Sequence, residues 1–277
     1  MTYDIAIITV SYDKIVEECL PSIARAMAAS PLKIAFVLVD NGSPNLRAHE
    51  FVKAHIPNAI VILRDKNYGF GNSCNRGTEE VDAEHYFFLN PDTVLVDESI
   101  LDRLHAFMRE RPWTGIVAPR IHYLTGELQE THRRFPAWYM PIVQRTWLAE
   151  TKFGRAYADT FLMRERVLKE RRLVDWVQGS AMMMSSTLFE ELGGFDDQFW
   201  MYFEDIDLCR RVWERHRPVY YYPDVVLHHV YGKGSATTGG YFKNFFTNRQ
   251  LRAHISSWIR YELKWRLFSE KAIMTKT

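Results

Sequence analysis

Ile34-Ala-Phe-Val-Leu-Val-Asp-Asn-Gly-Ser43 is a run of six apolar residues that stops at a carboxylate and a turn. Strict alternation would give a strand one wet face, whereas a continuous run is buried on both, which requires helices on each side of the sheet. The same pattern recurs outward from this stretch. Ile5-Ala-Ile-Ile-Thr-Val10 precedes it; Ala59-Ile-Val-Ile-Leu63, Tyr86-Phe-Phe-Leu89 and Gly115-Ile-Val-Ala118 follow. Helical stretches fill the intervals, at about 14–29, 46–55, 67–80 and 99–110. Strands spaced by helices join through crossovers into a parallel sheet, and such sheets take ligands at the carboxyl ends of their strands. The chain therefore reads as α/β, with a Rossmann-like, mostly parallel central sheet flanked by helices.

The alternation breaks near Pro119. Residues 120–135 read as a hairpin around Thr125-Gly126, and residues 136–172 are rich in aromatics and arginines without a clean period. Ser180-Ala-Met-Met-Met184 reads as a further strand, followed by a Gly193-Gly194 turn. Tyr220 to His229 reads as two strands joined by a turn at Pro223-Asp224, and residues 241–268 as a long C-terminal helix.

With 277 residues, 47% of them hydrophobic, the chain can bury a large core. Its 35 basic and 34 acidic residues nearly cancel, which argues against nucleic acid as a partner. Cys19, Cys74 and Cys209 are odd in number, far apart and without metal-ligand spacing, which suits a reducing compartment. No signal peptide and no membrane-spanning run is legible, so a cytoplasmic location is expected.

Polar groups follow three strands of the first half: Ser11-Tyr12, Asp40-Asn41-Gly42-Ser43 and Leu89-Asn90-Pro91-Asp92-Thr93. Each alone is ordinary turn chemistry. Together they put side-chain oxygens at adjacent strand ends, where Asp40 can accept from a pyrimidine imide and Asp92 can hold a hard divalent cation. The loop Asn67-Tyr-Gly-Phe-Gly71, running on to Asn75 and Arg76, suits a diphosphate at a helix N-terminus. A tight turn with close helix–sheet packing explains its glycines equally well. Their spacing, and the loop's place after the third strand, do not fit a dinucleotide fingerprint. His229 closes a strand on the same face as Val225 and Leu227. Alone it reads as a satisfied polar residue; joined to Asp92 it becomes a metal ligand. Lys233 and Ser235 in the next loop suit phosphates.

Phe203 to Trp213 reads as a helix whose apolar stripe is Ile206, Leu208, Cys209, Val212 and Trp213. Glu204, Asp207, Arg210 and Arg211 fall on the opposite side, expected to be wet. Asp205 projects into the middle of the stripe, in the first turn. A carboxylate there is a cap, the buried partner of a cation, or a base facing a cleft. The aromatics just before it (Phe199, Trp200, Tyr202, Phe203) favour the cleft. A base needs oxygens that reach the cleft instead of being turned away and locked.

The segments Thr9-Val-Ser-Tyr12, Val39-Asp-Asn-Gly-Ser43, Asn67-Tyr-Gly-Phe-Gly71 with Asn75, Leu89-Asn-Pro-Asp92, Val177-Gln-Gly-Ser180, Gly193-Gly-Phe195, Phe203-Glu-Asp-Ile-Asp-Leu208 and His229 follow in that order. With them the chain resembles the family 2 glycosyltransferases of the GT-A fold, over roughly residues 4–240. Asn90-Pro-Asp92 and Val174-Asp-Trp-Val-Gln-Gly179 resemble the rhamnosyltransferase-like branch, which acts on polysaccharide or lipid-linked acceptors.

The resemblance implies a single GT-A domain at 1–240, with a nucleotide-binding half at 1–119 and an acceptor and catalytic half at 120–240. Residues 241–277 become a C-terminal helical extension. It further implies an inverting, metal-dependent transfer of a sugar, rhamnose among the candidates, from a dTDP- or UDP-sugar to a hydroxyl of a glycan or lipid-linked glycan. Val10, Tyr12 and Asp40 would hold the nucleoside, with Asn41, Asn67, Gly69, Gly71, Asn75 and Asn90 completing the donor-nucleotide site. Asp92 stands at the metal-binding carboxylate of an Asp-x-Asp motif whose first carboxylate is here Asn90, and His229 would help hold Mg2+ or Mn2+. Gly179, Ser180, Trp200 and Glu204 would border the donor sugar and acceptor, and Asp205 would be the general base.

Other classes fit less well. A sugar nucleotidyltransferase or a nicotinamide dehydrogenase would carry a glycine-rich loop directly after strand one, where Ser11-Tyr-Asp-Lys-Ile15 has no glycine. A non-catalytic binding or assembly protein on the same fold would not need Asp92, Asp205 and His229 together. Trp258, Trp265, Arg260, Lys264 and Arg266, with Trp147 and the arginines of 164–172, suit peripheral contact with the inner face of a membrane. Packing of a C-terminal helix on the core, with its arginines in water, accounts for the C-terminal group equally well.

Overall fold

Four strands of the first half lie parallel and side by side: β1 (Tyr3–Ser11), β2 (Ile34–Asp40), β3 (Ile60–Leu63) and β4 (Ala83–Leu89), in the order β3-β2-β1-β4. The computed structural model describes residues 2–13, 19–44, 47–164, 170–230 and 249–267. Helices α1 (Cys19–Ala29), α2 (Arg47–His55) and α3 (Phe70–Thr78) make the crossovers. The apolar runs divide by residue parity, as strand geometry requires. Ile5, Ile7, Phe36, Leu38 and Phe87 enter the core beneath α1, whereas Ala6, Ile8, Val37, Val39 and Phe88 pack on the other face, with Cys74 of α3. Gly77 lets α3 lie close, since a Cβ there would stand 2.8 Å from Ile8 Cγ2. All three cysteines are free and buried.

The second half extends the same sheet. In chain order it contains β5 (Thr93–Leu95), α4 (Ile100–Glu110), β6 (Ile116–Tyr123), β7 (Leu128–Gln129), β8 (His132–Arg133), α5 (Met140–Arg145) and α6 (Lys152–Phe161). Then come β9 (Arg172–Leu173), β10 (Trp176–Val177), β11 (Ala181–Ser185), α7 (Ser186–Glu191), α8 (Glu204–Glu214), β12 (Val219–His229) and α9 (Arg249–Glu262). The full order is β3-β2-β1-β4-β11-β6-β12-β5. Strand β11 is antiparallel to both neighbours, while β6 and β12 are parallel to each other. Strands β8 and β10 pair separately, carrying Arg133 opposite Trp176.

Several expectations change here. Strand β6 continues through Pro119 to Tyr123, and Tyr220–His229 belongs to one strand instead of two joined by a turn. Pro223 and Asp224 lie in a bulge, where the register against β6 jumps between Tyr222 and Val226. A proline without an N–H is tolerated where the ladder is already broken. Residues 136–172 contain two short helices, the second capped by Thr151 Oγ1 accepting the Gly154 N–H at 3.1 Å. Residues 14–18, 231–248 and 268–277, including Lys233 and Ser235, lie outside the described residues.

The side of α8 expected to be wet is dry. Glu204 is buried, and Asp207 is completely enclosed. The π-helical turn Leu263–Leu267, which continues α9, covers Asp207, and Glu204 lies against Gly71, neither of which the periodicity of α8 alone reveals. Asp207 accepts from Arg211 Nε at 2.8 Å and from Trp265 Nε1 at 2.8 Å, with Lys264 Nζ at 2.7 Å. Arg210 donates to the Tyr261 hydroxyl at 3.0 Å, and Ser257 Oγ to the Met201 carbonyl at 2.8 Å. Arg260 reaches the Gln198 carbonyl, and Arg266 pairs with Glu262. The C-terminal aromatic and basic residues are thus largely committed to the core. The exposed aromatics Trp138, Trp147 and Phe153 lie instead on and beside α5 and α6. Among the described residues no helix is long and apolar enough to cross a membrane.

Candidate active site

The parallel register brings the ends of β1 and β2 level, with Ser11 opposite Asp40. Asp40 is buried; Oδ1 accepts the Ser43 N–H at 2.8 Å, and Oδ2 is enclosed without a hydrogen-bond partner. An orphaned carboxylate oxygen at a strand end is costly unless a ligand donor meets it. Val10 lies buried beside it and Tyr12 projects, half exposed.

Strand β5, only three residues long and not expected from the sequence, pairs antiparallel with β12 and sets Thr93 opposite His229. The Val230 N–H donates to the Asp92 carbonyl at 2.9 Å. The side chains meet as a result: Asp92 Oδ1 and His229 Nε2 stand 2.8 Å apart, yet neither is aligned for a hydrogen bond. Two such ligands sharing an octahedral cation with bonds near 2.1 Å would stand about 3 Å apart, so the donor set and spacing fit a divalent metal. A second group, Glu84, His85 and His105, brings a ligand atom from each within 4.8 Å at the opposite end of β4. There Glu84 already accepts from Arg109 at 2.8 Å.

Asp205 lines a cavity of roughly 330 Å³ together with Asn90, Arg133, Phe161, Trp176, Gly179, Ser180, Glu204 and His254. Tyr202 and Phe203, with φ of 67° and 69°, turn the chain into α8 through two successive left-handed residues, a conformation bulky side chains rarely adopt. The first turn of the helix is thereby aimed at the cavity. Asp205 Oδ2 accepts the Gly179 N–H at 3.0 Å and Oδ1 accepts the Ile206 N–H at 2.8 Å. Each oxygen keeps a lone pair beyond its amide partner, and the side chain remains in the cavity wall.

Burial raises the Asp205 pKa, opposed by the two amides and the charge of Arg133. Burial raises Glu204 much further, reinforced by the charge of Asp205, and its Oε2 has no donor. Of these neighbouring acids Glu204 is pushed further toward its protonated form, while Asp205 has the amides and the Arg133 charge that favour its carboxylate.

The remaining expected residues build the frame. Asn41 Nδ2 donates to Asn67 Oδ1 and to the Gly69 carbonyl, both at 3.1 Å, and its Oδ1 accepts the Tyr68 N–H at 3.0 Å. Its amide pins the 67–69 loop. Gly69 (φ +93°) could carry no Cβ, which would fall 1.9 Å from the Trp200 carbonyl oxygen. Trp200 donates to the Asn67 carbonyl at 3.2 Å and is absent from the cavity lining. Gly71 admits Phe195 and Glu204, and Asn75 clasps Phe195 through its N–H and carbonyl, both at 2.8 Å. Arg76 pairs with Glu79 and Glu80 on the outer face of α3, so it adds no free charge at the loop. Arg133, Phe161 and His254 join the cavity unannounced by the sequence. Arg133 sits on a two-residue strand too short to show a period, and His254 arrives from α9.

Comparisons with known proteins agree with this architecture. Residues 3–253 match the family model described as "Glycosyltransferase like family 2". The chain is 28% identical over 222 residues, 75% of its length, to the N-acetylglucosaminyl-diphospho-decaprenol L-rhamnosyltransferase of Mycobacterium tuberculosis, covering 70% of that protein. It is 26% identical over 218 residues to Rhamnosyltransferase WbbL of Escherichia coli, with 74% of each chain covered. In fold it resembles GalNAc-T7, solved with UDP, GalNAc and Mn2+: the TM-score is 0.67 at 13% identity, over 95% of this chain and 48% of that one. The central sheet with its flanking helices is that of GT-A glycosyltransferases, and the chain belongs to glycosyltransferase like family 2.

Proposed function

We propose that the protein transfers a hexose, with rhamnose the first candidate, from a dTDP- or UDP-sugar to a hydroxyl of a glycan or lipid-linked glycan, inverting the anomeric centre. The observation that carries this is Asp205, hydrogen-bonded by two amides in a cavity wall that also contains Asn90, two residues from Asp92. Asp40 takes the pyrimidine imide on its unpartnered Oδ2. Asp92 and His229 would hold Mg2+ or Mn2+ for the donor diphosphate. When bound, such a cation stabilises the charge of the departing diphosphate.

Asp205 removes the acceptor hydroxyl proton as that oxygen bonds to the anomeric carbon, on the face opposite the breaking bond to the diphosphate. No second protein acid is required, so a protonated Glu204 is consistent with the chemistry. Ser180 Oγ, enclosed without a hydrogen-bond partner, suits a sugar hydroxyl. The similarity to a transferase named for a decaprenol-linked substrate supports a lipid-linked acceptor. Trp138, Trp147 and Phe153 suit contact with the inner face of the membrane carrying it.

The test is Asp205→Asn against a panel of dTDP- and UDP-sugars, reading release of the nucleoside diphosphate. Donor binding should persist while transfer falls about 10²–10⁴-fold. Thermal unfolding is measured alongside, because the new carboxamide NH2 faces one of the two amides. Turnover within a few-fold of the parent would remove Asp205 from the mechanism.

A further inference from the structure

The cavity beside Asp205 holds a cation, Arg133, whose charge favours the Asp205 carboxylate but whose hydrogen-bond donors the transfer chemistry above leaves unused. Arg133 lies with its guanidinium 5.0 Å from the ring centroid of Trp176 and 5.8 Å from that of Phe161. Its Nε is enclosed with no hydrogen-bond partner. The acids that act on it do so from beyond ion-pairing distance among the described residues, and both are engaged elsewhere. Asp205 accepts its two amides, and Glu130 accepts from Arg164 Nη2 at 3.1 Å. With the Arg133 Nε enclosed and no ion pair among the described residues, its charge is only partly compensated, by Asp205 and Glu130 at a distance, and an anion completes it. Its fork of donors matches phosphoryl oxygens, and its stacking on Trp176 presents that fork in a fixed plane.

The position identifies which substrate carries the anion. Asp92 and His229, the pair assigned to the donor diphosphate, do not line this cavity, whereas Asp205 does. Phe161 and Trp176 flank Arg133, and Met140 and Phe203 line the same cavity together with polar groups that include Gln178 and His254. We infer that Arg133 binds a phosphoryl group of the acceptor, adjoining the sugar whose hydroxyl faces Asp205. This rests on the transfer reading for which side is the acceptor's. A lipid-linked sugar diphosphate and a soluble sugar phosphate share this chemistry, and Arg133 is specificity-determining for either.

The experiment is equilibrium binding without donor, so no turnover is needed. The probes are N-acetylglucosamine linked through diphosphate to a farnesyl chain, N-acetylglucosamine 1-phosphate, and octyl N-acetylglucosaminide. They are titrated into the parent, Arg133→Met, Arg133→Lys and Asp205→Asn. The parent should bind a phosphorylated probe roughly ten- to hundredfold tighter than the octyl glycoside, the range of a hydrogen-bonded charge pair. Arg133→Met should erase that gap, Arg133→Lys should restore part of it, and UDP and dTDP affinity should stay at parent levels as the control for folding. A gap confined to the farnesyl diphosphate probe assigns the site to a lipid-linked acceptor; one shared with the 1-phosphate assigns it to the phosphate alone. A gap that survives Arg133→Met, or an equal loss for the octyl glycoside and the nucleotides, overturns the inference. Failure of the base assignment is seen separately, as an active Asp205→Asn enzyme in which Arg133→Met still erases the gap.

Discussion

Asp207 offers the most direct test of how the last helix is held. Asn at this position keeps the shape but removes the charge from a fully enclosed site that receives Arg211 Nε, Lys264 Nζ and Trp265 Nε1, all within 2.8 Å. Its carboxamide oxygen can keep one of these donors, while its NH2 must face another. Breaking a buried ion pair from one side costs about 3–5 kcal/mol. The lower end applies here, because Lys264 retains Asp196 at 2.6 Å and Arg211 retains the Leu192 carbonyl at 2.9 Å. Asp207→Asn should therefore lose about 3 kcal/mol in urea unfolding, and Lys264→Met, at a partly exposed site, about 1 kcal/mol. The double variant should fall short of the sum, since the two side chains share one contact. Amide hydrogen exchange should rise along α9, and transfer should fall with it, because α9 carries His254 into the cavity. A loss below about 1 kcal/mol, or α9 amides as protected as in the parent, would refute the argument that this network docks the helix.

Three further outcomes are expected. Asp92→Ala should weaken nucleoside diphosphate binding and abolish its dependence on Mn2+; a parent whose titration curves are identical with and without Mn2+ would count against the Asp92–His229 assignment. Glu204 has a pKa raised well above the carboxylate range, first by burial and then by the charge of Asp205, so it contributes stability that is present below the unfolded value and lost as pH rises through the folded one. Glu204→Gln should accordingly match the parent near pH 4 and exceed it increasingly toward neutrality, by about 1.4 kcal/mol per unit of the shift removed; parallel stability–pH curves would show that Glu204 ionises normally. Gly69→Ala puts a Cβ 1.9 Å from the Trp200 carbonyl at a φ of +93°, so it should cost about 3 kcal/mol or more in thermal unfolding, and an unchanged melting temperature would mean the loop is not braced there.

The first half of the fold is legible because β1, β2 and β4 are buried on both faces, and an unbroken apolar run of that length, bounded by turns, suits little besides a covered strand. Asp205 is legible for the complementary reason, a charge inside an apolar helical stripe. A helical wheel knows only its own helix, however, so Glu204 and Asp207 fall on its solvent side although both are buried, Asp207 by the turn at 263–267. Strand β5 has three residues and β8 two, fewer than any period needs, and these elements bring Asp92 to His229 and Arg133 to the cavity. Asn41 and Asn75 read as ligand contacts, and their bonds to the 67–69 loop and to Phe195 are not legible, because an asparagine looks alike in sequence whether it binds substrate or backbone. Pro223 passes for a turn because nothing nearby in the chain marks the neighbouring strand that absorbs it as a bulge.

The pairing of β5 with β12 has a bearing on biosynthesis. Asp92 leaves the ribosome early and His229 late, and the strand that unites them is the last of the sheet to be synthesised. A nascent chain halted before Val219 lacks the strand that sets His229 beside Asp92. A stalled or truncated product is thereby left without the β5–β12 pairing that closes this edge of the sheet.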